Sequence, residues 1–279
     1  LYYLIVCSVV NIILDLLLIL VIPLGVLGAA IATLIAQAVS AVLVTVTLMY
    51  RTEGMKLCLS QIRMYKRMLQ SILKIGLPAG FEAIMYSISN IIVQVSINNF
   101  GVDTMAAWTA YSKIDFIFWM INSAFGISVM TFVGQNYGAG KWDRIRRGTK
   151  ICLGMALISA VSVSIILMSA ERFLFGIFVN DAGVVEIGIR MMNVIAPAYL
   201  LFAFIEVFSG ALRAQGAVVV STLITMVGIC VLRMIWVTLV AAHGTLEQVI
   251  ICYPITWAAG ALAMSIYYIY KQRKIFQAR

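Results

Sequence analysis

Eight windows of about twenty mostly apolar residues follow one another along the chain, near 3–22, 26–49, 75–98, 105–132, 150–170, 186–209, 218–241 and 248–270. A helix needs a segment of this length and character to cross the hydrocarbon core of a bilayer. Inside lipid, a helix satisfies its backbone N–H and C=O groups within the segment itself. The expected fold class is therefore an all-α polytopic membrane protein with eight transmembrane helices. Composition agrees: 63% of the 279 residues are hydrophobic, 11% are charged, and the mean hydropathy of +1.04 excludes a soluble globular domain.

The loops between the windows sort by charge. Arg51, Lys56, Arg63, Lys66, Arg67 and Lys74 follow the second window; Lys141, Arg144, Arg146, Arg147 and Lys150 follow the fourth. Arg213 follows the sixth, and Lys271, Arg273, Lys274 and Arg279 the eighth, so sixteen of the twenty basic residues lie on one side. The other side has Arg172 as its clear base, among Asp103, Asp181 and Glu247. Short loops rich in Lys and Arg stay in the cytoplasm. That rule puts the ends of the even-numbered spans, the first residue and the basic tail 271–279 inside the cell, in a multi-pass protein of the plasma (inner) membrane. Topology and anionic lipid thus account for the net charge of +9, and no nucleic-acid partner follows.

Residues 59–73 interleave Ile62, Met64, Tyr65, Met68, Leu69 and Ile72 with Arg63, Lys66, Arg67 and Gln70. Two readings fit: an amphipathic helix along the inner surface, or an ordinary solvated linker. Residues 1–50 then form a two-helix hairpin, 51–74 a cytoplasmic amphipathic linker and 75–270 a six-helix bundle. The opening Leu-Tyr-Tyr-Leu-Ile-Val, without Met, basic stretch or cleavage site, reads as a cut inside a longer gene product and not as a signal peptide. Cys7, Cys58, Cys152, Cys230 and Cys252 have no paired spacing and read as small packing residues.

Asp15, Glu82, Lys113, Asp115, Glu206 and Arg233 fall inside the windows, and each costs roughly 2.5–3.5 kcal/mol at a helix centre on insertion scales. Four acids against two bases leave at least two carboxylates to be protonated, hydrogen-bonded to neutral groups, or neutralised by a bound cation. Asp15 has Asn11 one turn earlier on the same face, and the returning hairpin brings Thr33 toward it. This trio is either a cation site or a polar cluster tying two helices together. The third window carries Glu82, Tyr86, Asn90, Gln94 and Asn98 at steps of four, after a Pro78 suited to a first helical turn. Glu82 and Glu206 lie near cytoplasmic helix ends, as coupling residues or as interface-exposed carboxylates. The fourth window aligns Trp108, Tyr111, Asp115, Trp119, Asn122 and Gly126, which suits an amphipathic organic cation, although packing also produces such stripes. Lys113 is expected to snorkel, and Arg233 to pair with one of the acids.

At these residues the chain resembles the multidrug and toxic compound extrusion (MATE) family of antiporters. The resemblance is carried by Asn11-x-x-x-Asp15 with Gly28-Ala29-Ala30-Ile31-Ala32-Thr33, and by Lys74-Ile75-Gly76-Leu77-Pro78-Ala79-Gly80. It continues in Gly134-Gln135-Asn136-x-Gly138-Ala139-Gly140 and in Glu206-Val207-x-Ser209-Gly210-Ala211-Leu212-Arg213-x-x-Gly216. It implies a twelve-helix protein of two six-helix lobes, with these eight spans as helices five to twelve. Residues 1–50 would be the last two helices of the amino-terminal lobe and 75–270 the carboxy-terminal lobe. It assigns Asn11, Asp15 and Thr33 to a cation site whose remaining carboxylate lies on the family's first helix, outside this chain. Sodium-linked members place acids on helices seven and ten where this chain has Tyr86 and Phe202, so the expectation centres on Asp15.

The implied function is cation-coupled export of cationic amphipathic drugs or toxic compounds by alternating access. H+ or Na+ would be the coupling ion, with no other metal and no cofactor. Glu82, Tyr86, Asn90, Gln94, Asp115, Trp119, Asn122, Glu206 and Arg233 are candidates for coupling or for lining the substrate path. Small organic cations and the bilayer are the expected partners, and the full-length protein is expected to be a monomer. The alternatives are a lipid-linked oligosaccharide flippase, which would need a cleft rich in Arg and Lys, and an inactive truncated fragment. An intramembrane enzyme would need catalytic His, paired Asp or Ser motifs within the spans, whereas the lone His243 sits in an outer loop.

Overall fold

The computed structural model describes residues 2–50, 57, 58, 60, 62–240 and 244–277. His243, Arg51, Lys56 and Arg279 lie outside the described residues. Among those described, eight helices are long and apolar enough to cross a membrane: α1 Tyr2–Val21, α2 Gly25–Tyr50, α3 Lys66–Asn98, α4 Val102–Gly138, α5 Trp142–Ser169, α6 Ala182–Ala214, α7 Val218–Val240 and α8 Leu246–Ile275. A short helix, Glu171–Gly176, lies between α5 and α6. The chain divides into two compact units, residues 1–69 and 70–279.

The first unit is built on the α1–α2 hairpin. Its helices run antiparallel: the Tyr3 hydroxyl lies 2.6 Å from Thr47 Oγ1, and Cys7 Sγ donates to the Ala36 carbonyl at 3.2 Å. Near the turn, a Cβ on Gly28 would come 2.9 Å from the Leu18 carbonyl oxygen, so only glycine allows the helices to meet there. The last turn of α1, Leu17–Val21, is widened into a π-helix.

In the second unit α6 is the central helix: 61% of its apolar window is buried, against 22% for α3 and for α5. Its close approach to α4 depends on two glycines, since a Cβ on Gly210 would meet the Gly126 carbonyl oxygen at 2.8 Å. Trp257, Tyr111, Tyr199 and Phe118 are the bulkiest fully buried aromatic residues of the core.

Several local expectations change in the folded chain. Residues 66–74 are the first turns of a continuous α3, and Pro78 sits in its interior and not in a first turn. The proline leaves the Lys74 carbonyl without its i+4 donor, a loss that membrane helices tolerate where neighbouring groups re-satisfy the backbone. α4 runs on to Gly138, so the Gly-Gln-Asn-x-Gly-Ala-Gly string is a helix end. There Asn136 Nδ2 donates to the Phe132 carbonyl at 2.8 Å, Gly140 takes φ +66°, and Lys141 N–H returns to the Asn136 carbonyl at 2.8 Å. α6 is broken by the 3-10 turn Ala196–Ala198 around Pro197. α7 carries π-helical stretches at Met226–Val231 and Trp236–Val240, on either side of Arg233.

Candidate functional site: two acid-bearing cavities

The steps of four in α3 and α4 bring residues of the two polar bands to the wall of one cavity in the second unit. A cavity of about 410 Å3 is lined by Tyr86, Asn90 and Gln94 of α3, Asp115 and Trp119 of α4, and Tyr253 of α8, with further aromatic residues around them. Asp115 is the one acid of this lining. Its Oδ2 accepts from Trp119 Nε1 at 2.6 Å, one helical turn away, and its Oδ1 accepts from the Tyr199 hydroxyl. Tyr199 in turn lies 3.1 Å from the Tyr111 hydroxyl and stacks on Phe118 at 3.8 Å between ring centroids. The carboxylate is thus held by neutral donors alone, with no Lys or Arg in ion-pair contact among the described residues. Four ring pairs complete the wall: Tyr86–Trp119, Trp108–Tyr253, Trp119–Trp257 and Tyr253–Trp257, with centroids 6.4, 5.9, 6.1 and 5.5 Å apart.

Arg233 stands behind this wall, fully buried. The expected pairing with an acid is not made: among the described residues no carboxylate forms an ion pair with it. Instead its Nη1 donates to Asn90 Oδ1 at 3.1 Å, and its guanidinium lies 4.2 Å from the Tyr253 ring centroid and 5.8 Å from that of Tyr86. Ring faces and an amide oxygen replace the carboxylate, because a delocalised guanidinium is weakly hydrated and stacks on aromatic faces.

A second cavity of about 400 Å3 shares Tyr86 with the first and is lined by Glu82, Phe202, Glu206, Ser209 and Arg213. Arg213, counted in the sequence as a loop base, lies in the last turn of α6. Its Nη2 donates to both oxygens of Glu82, at 2.7 and 2.9 Å, and Thr222 Oγ1 adds a third bond at 3.0 Å. Glu82 is therefore an ion-paired residue of the cavity wall. Glu206 forms no ion pair among the described residues, and its carboxylate fills the space left by the missing side chain of Gly126.

Other candidates fall elsewhere. Asn122 is buried in α4, Gln94 Nε2 donates to Asn98 Oδ1 at 2.8 Å, and Lys113 is exposed, as snorkelling requires. In the first unit the trio of Asn11, Asp15 and Thr33 is not joined by hydrogen bonds. The Thr33 hydroxyl is exposed and donates to its own helix at the Ala29 carbonyl, 2.9 Å away, while Asn11 Nδ2 and Asp15 Oδ1 are buried without a hydrogen-bond partner among the described residues. The reason is local: a helical Thr hydroxyl finds the carbonyl one turn back more readily than a group across the helix pair. Tyr199, Tyr253, Trp257, Arg213 and Thr222 were missed as site residues. Only Pro197, which marks the break that delivers Tyr199, gave a local signal.

The sequence and the fold have counterparts among known proteins. The family model described as MatE matches residues 78–239, more than half of the chain. "Probable multidrug resistance protein YoeA" of Bacillus subtilis (strain 168) is 27% identical over 98% of this chain and 62% of its own length. "Multidrug export protein MepA" of Staphylococcus saprophyticus is 25% identical over 84% of this chain and 54% of its own. The chain thus spans less than two thirds of the length of these relatives. Among solved structures, an outward-facing multidrug resistance MATE family transporter of the MOP superfamily superposes with a TM-score of 0.89 at 19% identity, covering 99% of this chain and 62% of that one. That likeness shows the fold, and the match to the family model over most of the span helices settles the membership: the chain belongs to the MatE family of multi-pass membrane transporters, which are not enzymes.

Proposed function

We propose that this chain forms the carboxy-terminal part of a MATE transporter that exports cationic, amphipathic compounds from the cell across the plasma membrane, driven by H+ or Na+. On this reading residues 2–50 complete the amino-terminal lobe and α3–α8 form the carboxy-terminal one. The observation that carries the proposal is Asp115: a carboxylate held by hydroxyl and indole donors in an aromatic cavity of about 410 Å3. Two of its lone pairs remain for a ligand ammonium, and the ring faces suit a delocalised or alkylated cation. Coupling is assigned to Asp15, whose buried Oδ1 has no hydrogen-bond partner among the described residues and would take the proton or sodium ion. Each ligand can shift the transporter only by its differential affinity for the two states. The flippase alternative is not favoured, because the lining of the Asp115 cavity includes no Lys or Arg and its one acid is uncompensated.

The test is efflux of a fluorescent organic cation from proteoliposomes carrying the complete gene product, under an imposed proton or sodium gradient. Export that follows one gradient, lost in Asp15→Asn and in Asp115→Asn, is the expected result. Export indifferent to both gradients, or unchanged in both variants, would remove the reading.

A further inference from the structure

A groove of about 360 Å3 between α4 and α5 plays no part in the transport reading. It is lined by Phe125 and Phe132 of α4 and by Gly148, Ile151, Cys152 and Met155 of α5. The Phe132 ring lies against the bare backbone of Gly148, where a Cβ would collide with it. The polar side chains of the lining, Ser128 and Cys152, are both engaged by backbone carbonyls: Ser128 Oγ donates to Ala124 at 2.7 Å and Cys152 Sγ to Phe125 at 3.8 Å. The groove thus presents methyl groups and ring faces, which suit an alkyl chain, whereas a polar solute would lose its hydrogen bonds to water there.

Positive charge stands at the cytoplasmic end of this groove. Steps of four along α5 place Arg144, Gly148 and Cys152 on one helix face, and Arg147 stands one turn before Ile151 at its edge. Asp143, adjacent in sequence to Arg144, falls on another face. Arg144 and Arg147 are exposed, and among the described residues neither forms an ion pair. At the same end Tyr137 and Trp142 meet edge-on with ring centroids 5.0 Å apart, and such amphipathic rings sit at headgroup level. From Arg144 to Met155 the helix rises about 16 Å at 1.5 Å per residue, and half of a hydrocarbon core is roughly 15 Å. Charge, belt and groove therefore fit the depth of one leaflet. Topology requires basic residues in this loop, but it does not require that they line up with an apolar groove. A second copy of this chain fits less well, because a two-fold contact through this face brings Arg144 and Arg147 toward their own counterparts.

We infer that the α4–α5 groove holds an anionic glycerophospholipid of the inner leaflet, with its phosphate against Arg144 and Arg147 and one acyl chain along Phe132, Gly148 and Met155. Arginine suits the first task, because its planar fork grips a phosphate through two parallel N–H···O bonds. The inference goes beyond the transport reading and holds whatever compound the protein carries.

The test is photo-crosslinking of the complete protein in phosphatidylethanolamine vesicles that carry a trace of one of two probes. These are phosphatidylglycerol and phosphatidylcholine with the same diazirine-bearing acyl chain, and labelled peptides are read as a share of total labelling. The phosphatidylglycerol probe is expected to label the groove-lining segments of α4 and α5 about tenfold more than the phosphatidylcholine probe, the weight of two basic side chains near an anionic lipid. Replacing both arginines, Arg144→Gln with Arg147→Gln, should bring the two probes level. Gly148→Leu, which fills the groove, should lower labelling there by both probes. Because Gly148→Leu can disturb the α4–α5 contact, the variant of the two exposed arginines decides the matter. Equal labelling by the two probes in the unmodified protein, a preference that survives the loss of both arginines, or labelling of the groove by neither probe overturns the inference. So does a dimer cross-linked through Cys152, which would make a second copy the occupant.

Discussion

Glu82 and Asp115 face neighbouring cavities of similar size that share Tyr86, yet the chain treats the two carboxylates in opposite ways. Glu82 is clamped by both a guanidinium and a hydroxyl, whereas Asp115 is given a phenol and an indole. The difference separates holding from binding. A carboxylate already paired with Arg has little to gain from a second cation, and removing it strands the arginine. A carboxylate held by neutral donors keeps its orientation and has lone pairs left for a ligand.

The comparison can be broken or sharpened by thermal unfolding of variants in one detergent. The largest effect is expected at the α4–α6 crossing, whose helices carry Asp115 and the Arg213 partner of Glu82: Gly210→Ala drives a Cβ against the Gly126 backbone and should cost about 3 kcal/mol. Glu82→Gln should cost about 2 kcal/mol, below the range for fully buried pairs because the Arg213 side chain is 31% exposed. Asp115→Asn should change stability much less than that, since no arginine is stranded; an equal loss would collapse the distinction between the two acids. Tyr199→Phe should cost about 1.5 kcal/mol in the unmodified protein and little in the Asp115→Asn background, a coupling that a double-mutant cycle measures directly. Thr33→Val should be smallest, below about 0.5 kcal/mol, because its hydroxyl serves only its own helix.

Much of this was legible along the chain, because a bilayer imposes a requirement that each segment meets alone. The eight windows reappear as eight helices, lengthened at their ends where polar residues such as Gln135 and Asn136 continue the turn beyond the apolar stretch. The α3 band and the α4 stripe were likewise readable, since residues four apart share a face whatever lies opposite. Arg213 was not, because a base just past an apolar window looks the same whether it faces water or reaches an acid 131 residues earlier. Arg233 was misread for a related reason: charge balance predicts a carboxylate partner, but ring faces and an amide can take its place, and sequence does not say which rings will be near. Asp15 drew attention by its helical neighbour Asn11, yet spacing within one helix says nothing of where the Thr33 hydroxyl will turn.

The sequence by itself determined that the chain crosses a membrane as helices, how many, and which residues share a face on each, because hydrocarbon length and the 3.6-residue repeat act locally. Only the tertiary structure decided which acid would be neutralised and which left open. That choice depends on whether a guanidinium or a phenol arrives from another helix within hydrogen-bond reach. Charge, unlike hydrophobicity, is decided by a few atoms at about 3 Å and not by the average character of a segment.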